Sequence, residues 1–107
     1  MAVKRFDVYR VNLDPTVGSE IQKTGPCLVI SPDEMNRNIR TVIIAPMTSA
    51  QKDYPTRVLC IFRKKQGQIV LDQIRTIDKS RLIKKMGAID SKAQLDVISI
   101  LQRLFTF

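Results

Sequence analysis

Apolar residues arrive along this chain in short bursts separated by polar stretches that carry proline or glycine, a pattern of strands rather than of long helices. Residues 6–13 alternate loosely, with Phe6 and Val8 on one face and Tyr9, Val11 and Leu13 on the other, which predicts a strand covered on both sides. Residues 26–30 and 41–45 are compact β-branched runs and predict central strands. The polar interruption from Ser31 to Asn36 lets Asp33 and Glu34 open a single helical turn. Residues 46–55, with Pro46 and Pro55 among mostly polar neighbours, are expected to be a loop. Residues 56–62 and 68–74 predict two further strands joined by the basic hairpin connection 63–67. Residues 78–83 are expected to form a short helix capped by Asp78, and 84–89 a last strand ended by Asp90. Ser91 with Gln94 fits a capping box, and in the helix that follows Val97, Ile98, Leu101, Leu104 and Phe105 share one buried stripe. The whole predicts a mainly β domain over residues 1–107, built on a small, strongly bent antiparallel sheet with short helices and a C-terminal helix.

Composition narrows the function. A chain of 107 residues supports one modest core, and dimerisation would help it. Lys and Arg number 18 against 10 for Asp and Glu, and the resulting charge of +8 favours a polyanionic partner. Nucleic acid leads, with an acidic protein or a merely solvated basic surface as alternatives. Cys27 and Cys60 each lie in an apolar run, where buried free thiols are expected. The N-terminal residues have no apolar core of signal-peptide length and no run approaches a membrane span, so a cytoplasmic protein is expected. There is no histidine, which removes the commonest general base and zinc ligand. Any catalysis must then run on Arg, Lys, carboxylates and hydroxyls, and no metal or cofactor is expected.

The richest segment runs from Asn12 to Pro26. Gly18 permits a sharp turn, and Ser19, Glu20, Gln22, Lys23 and Thr24 supply hydroxyl, carboxylate, amide and ammonium groups. With the stretches PCLVISPDEMN from Pro26, TVIIAPMTS from Thr41 and LDQIRTIDK from Leu71, it resembles the MazF/PemK family of toxin endoribonucleases over nearly the whole chain. One position departs. Where the family reads T-R-P, this chain reads Thr24-Gly25-Pro26, so the arginine is missing.

The resemblance implies an SH3-like barrel, a homodimer, a small acidic antitoxin as partner, and metal-independent, sequence-specific cleavage of single-stranded RNA. In that reaction a ribose 2′-hydroxyl attacks its own phosphate and leaves a 2′,3′-cyclic phosphate and a 5′-hydroxyl. It implies a catalytic centre at position 25 and Thr48. Glycine at 25 removes a fixed cation and fork donor, so a chain that folds but cleaves poorly is expected. Lys23 is the nearest cation able to replace it in part. Glu20 is the nearest carboxylate, either a proton acceptor or a solvent-exposed partner of Lys23. Asp72 falls in an apolar run and needs a partner such as Arg75, while Gln73, alternating with it on the expected strand, faces away from it. By the same likeness Gln73 and Arg75 border an RNA groove, and Asn36 with the loop from Ser49 to Tyr54 reads bases. Ser19, Lys23, Lys52 and Arg57 are candidate RNA contacts, with Lys64 and Lys65 further phosphate contacts or plain surface charges. Two other readings stand beside this one: an SH3-like module that binds RNA or protein without chemistry, and a toxin that poisons DNA gyrase by binding alone.

Overall fold

The computed structural model describes residues 2–21 and 23–107, so Gln22, one of the loop's polar groups, lies outside the described residues. Strands β1 (Asp7–Asn12) and β2 (Thr24–Val29) are followed by helix α1 (Asp33–Asn38) and the long strand β3 (Thr41–Thr48). Strands β4 (Arg57–Phe62) and β5 (Lys65–Val70) form a hairpin, and a 3-10 turn, Leu71–Gln73, leads into β6 (Arg75–Asp78). A second such turn, Lys79–Arg81, leads into β7 (Leu82–Ala88) and the C-terminal helix α2 (Ser91–Leu104).

These strands make one seven-stranded sheet in the order β4-β5-β3-β2-β1-β7, with β6 also on β3. Every pairing is antiparallel. Strand β3 is the spine: it pairs with β2 through residues 44–46, with β6 through residues 41–44 and with β5 at Met47 and Thr48. Because β5 and β6 take successive stretches of β3, the sheet curls into the bent barrel that the short strands predict. Alternation along β1, β2 and β3 feeds two cores. Val8, Leu28 and Ala45 join Ile69, Leu71, Ala93 and Val97 in one, and Tyr9, Val11, Cys27, Val29 and Ile44 fill the other. Strand β1 is therefore covered on both faces, as its pattern predicts.

Several boundaries differ from expectation. Strand β3 runs on through Pro46 to Thr48, where a loop was expected; Pro46 stands opposite Cys27 at the last rung of the β2 ladder, where a missing N–H is tolerated. Strand β5 begins at Lys65, because the hairpin turns on Arg63 and Lys64 alone, both in the left-handed region at φ 52° and 65°. It ends at Val70, so Asp72 and Gln73 sit in a 3-10 turn and not on a strand. The helix expected at 78–83 is only the turn Lys79–Arg81, though Asp78 does cap it by accepting from the Ser80 N–H. At α2 the cap is Asp90, which accepts from Ala93 N–H at 2.9 Å and makes Ser91 the first helical residue. The buried stripe of that helix is Ala93, Val97, Ile100 and Leu101; Leu104 and Phe105 project into solvent at its end.

Candidate nucleic-acid interface

The loop between β1 and β2 is stitched shut at its neck. The Leu13 N–H donates to the Lys23 carbonyl at 3.0 Å, and the Lys23 N–H donates to Asp14 Oδ1 at 2.9 Å. Two arginines hold the same neck from below: Arg75 Nη1 donates to the Leu13 carbonyl at 3.0 Å, and Arg81 Nη1 to the carbonyls of Asn12 and Asp14 at 3.2 and 2.6 Å. At the tip, Gly18 takes φ 60° and Glu20 turns its carboxylate back onto the Val17 N–H at 2.5 Å. Among the described residues no ion pair joins Glu20 to Lys23, and the Glu20 carboxylate is engaged at Val17.

Gln73 joins this loop to the rest of the molecule. Its Oε1 accepts from the Ile21 N–H at 2.8 Å, and its Nε2 donates to the Ser19 carbonyl at 3.4 Å. Below the contact lies a cleft of about 240 Å³ bordered by Glu20, Pro46, Asp72, Gln73 and Arg75. Asp72 and Gln73 thus border the same cleft, which corrects the expectation that Gln73 faces away.

Strands β2 and β3 pair at Cys27 with Pro46, Leu28 with Ala45 and Val29 with Ile44, and their ladder ends there. Gly25 and Thr48 each lie two residues past that same end, where Gly25 pairs with Val11 of β1 and Thr48 with Gln68 of β5. Thr48 Oγ1 accepts from the Ala50 N–H at 3.1 Å, which starts the next loop. Gly67 lies so close beneath that a Cβ there would stand 2.8 Å from the Thr48 carbonyl oxygen. Gly25 differs: it lies in strand β2, and a Cβ there would meet nothing within 4 Å.

The loop of residues 49–56 is anchored by a side chain that the sequence pattern does not single out. Buried Gln68 accepts from the Lys52 N–H at 3.2 Å and donates to the Lys52 carbonyl at 2.8 Å. The ammonium of Lys52, together with Ser49, Ser19 and Lys23, stays on the exposed surface. Arg57 does not. Its guanidinium pairs with Asp72 at 3.1 and 3.4 Å, and Thr56 Oγ1 donates to the same carboxylate at 2.9 Å. Partial burial pushes the Asp72 carboxyl up, but these hydrogen bonds outweigh it and hold the group below its ordinary value. The partner of Asp72 is therefore Arg57, because Arg57 stands opposite Val70 and so reaches the turn that follows it.

Asn36 is corrected as well. It is buried, with Oδ1 accepting from Ser31 Oγ at 2.5 Å and Nδ2 donating to the Ser31 carbonyl at 3.0 Å, so its amide braces α1 and is turned away from solvent. Both cysteines are free and buried. Burial pushes the Cys27 thiol up to about 12 against the opposing charge of Arg75, and burial followed by Asp90 raises Cys60, so neither is a thiolate at neutral pH. Among the described residues no group of His, Cys, Asp and Glu is arranged to hold a metal ion, and no helix is long and apolar enough to cross a membrane.

A family model for PemK-like, MazF-like toxins of type II toxin-antitoxin systems matches residues 4–105. The chain belongs to this family. It is 40% identical over 108 residues to the endoribonuclease EndoA of Bacillus subtilis, covering 95% of this chain and 93% of that one. It is 35% identical over 101 residues to the endoribonuclease MazF of Staphylococcus epidermidis, covering 89% and 84%. The fold matches a Deinococcus radiodurans MazF structure with TM-score 0.85 at 24% identity, over 97% of this chain and 96% of that one. A mycobacterial endoribonuclease solved in complex with its cognate antitoxin matches with TM-score 0.84 at 22% identity, over 99% of both chains. The curled sheet with a C-terminal helix is thus the MazF-like fold.

Proposed function

We propose that this chain is the toxin of a type II toxin-antitoxin pair, a metal-independent endoribonuclease for single-stranded mRNA whose activity is attenuated by Gly25. The observation that supports the reading is the cleft bordered by Glu20 and Arg75, with Gly25 and Thr48 both just past the same end of the β2 and β3 ladder. RNA lies along that cleft. Glu20 accepts the 2′ proton as the 2′ oxygen bonds to phosphorus, the P–O5′ bond breaks and the 5′ oxygen takes a proton from water, while the Thr48 hydroxyl donates to a phosphoryl oxygen and Arg75 supplies positive charge. The second fixed cation, at residue 25, is absent, and with it the forked donor that stabilises a crowded phosphorane. Ser19, Lys23, Ser49 and Lys52 contact the strand from the rim. An acidic antitoxin competes for the same basic surface, consistent with a charge of +8. A second copy covers the outward face of the hairpin, where Leu59 and Ile61 are exposed.

The test is to replace Gly25→Arg and incubate parent and variant with a long single-stranded RNA in EDTA. The variant is expected to cut about 10² to 10⁵ times faster and to leave cyclic phosphate ends. Gly25 itself favours a second reading, an RNA-binding module without chemistry. RNA retained intact by both proteins establishes that reading in place of the first.

A further inference from the structure

Tyr54 is built as a platform. Its side chain is 52% exposed, yet its ring is held: the Arg57 guanidinium lies over it, 4.9 Å from the centroid. That arginine is itself immobile, since its side chain is only 9% exposed and both of its forked donors are fixed on Asp72. Backbone hydrogen bonds locate the ring further. The Arg57 N–H donates to the Tyr54 carbonyl at 3.1 Å, and two residues earlier the loop is clamped at Lys52 by Gln68. One face of the ring is thus covered by a cation that cannot leave, and the rest is open to solvent. Asp72, which anchors the arginine, also borders the cleft, so the ring is linked to the cleft through Arg57 and Asp72.

An aromatic ring backed in this way has lost little freedom by the time a ligand arrives, which is the condition under which stacking contributes most to affinity. A cation behind the ring also draws its π electrons inward, which makes the outer face a better partner for a neutral, electron-rich base than for a second cation. Unpaired nucleobases are the flat, neutral groups that a single-stranded polyanion presents beside its phosphates. We infer that Tyr54 is the stacking platform for one unpaired base of the bound RNA and helps determine which base is accepted there. The inference rests on the RNA reading above. It singles out one side chain of the loop from Ser49 to Tyr54 and gives it a specific contact, stacking on its free face.

The chain offers a direct readout, because it has two tyrosines and no tryptophan, and Tyr9 is only 1% exposed. Intrinsic fluorescence changes on binding therefore report Tyr54. Labelled single-stranded oligoribonucleotides of about ten nucleotides, four homopolymers and a random-sequence pool, are titrated while strand anisotropy and tyrosine emission are followed together. Both signals are expected to saturate at the same protein concentration, most strongly with a purine strand. Tyr54→Phe is expected to bind almost as tightly as the parent without the emission change, and Tyr54→Ala to bind about 5- to 150-fold more weakly. A rise in anisotropy with unchanged emission, or Tyr54→Ala binding as tightly as the parent, overturns the platform and leaves the RNA reading intact. No rise in anisotropy with any strand overturns both.

Discussion

Two glycines near the site behave oppositely when a methyl group is added in imagination. At Gly67 the added carbon meets the Thr48 carbonyl at 2.8 Å, and because that atom is backbone, either β3 or β5 must move. Gly67→Ala is expected to lower stability by about 1–3 kcal/mol, read as a shift in the urea midpoint with unchanged slope. An unchanged midpoint would show that the strands yield freely there. Gly25 has open space, so its substitutions are expected to act on chemistry and not on folding. Asp72 supplies the pH-sensitive element. Its folded value lies below the ordinary 3.8, so the bonds from Arg57 and Thr56 contribute stability above that value and lose it as pH falls through the folded one. Thermal melts of parent and Asp72→Asn are expected to differ most above the ordinary carboxylate value and to converge as pH falls through the lowered folded one. Curves that stay parallel throughout would assign the stability to packing. At this scale the sequence was legible where a residue type alone decides, as for the free, buried Cys27 and Cys60 in their apolar runs. It was silent where a residue's partner is set by the sheet, as with Arg57 for Asp72 and Ser31 for Asn36.

The loop between β1 and β2 is an element without secondary structure, held by bonds at two ends. Its neck depends on Asp14, Arg75 and Arg81, and the Gln73 amide ties its far part to the 3-10 turn. Gln73→Ala is expected to leave the melting point nearly unchanged while the Ile21 amide, which donates to that side chain, loses its protection from hydrogen exchange. Retained protection at Ile21 would place the restraint at the neck. The elements themselves were readable from period and punctuation, and their errors share a cause. The hairpin turn uses Arg63 and Lys64 at positive φ, where Asn-Gly would have announced it. Pro46 reads as a strand breaker, yet only because the register that excuses it cannot be seen in one strand. Asp90 captures α2 one residue before Ser91 because either side chain can cap, and geometry decides.

For the whole molecule, charge and length pointed to a polyanion and to a partner copy, but not to the surfaces involved. Those surfaces depend on which side chains the barrel leaves outside. Strand β4 lies at the sheet edge with Leu59 and Ile61 57% and 72% exposed, an arrangement that solitary edge strands avoid. Ile61→Glu is expected to shift sedimentation from dimer to monomer at micromolar concentration, with the circular dichroism of the fold preserved; a dimer that persists places the second copy elsewhere. The room left at position 25 has a further consequence under the proposed function. A Cβ there meets nothing, so a chain attenuated at that position is expected to keep its shape and, apart from one cation, its basic surface. Under that function such a copy is a decoy: slow on transcripts, it still titrates the inhibitor away from any active sibling, and so arms the cell's other toxins while doing little itself.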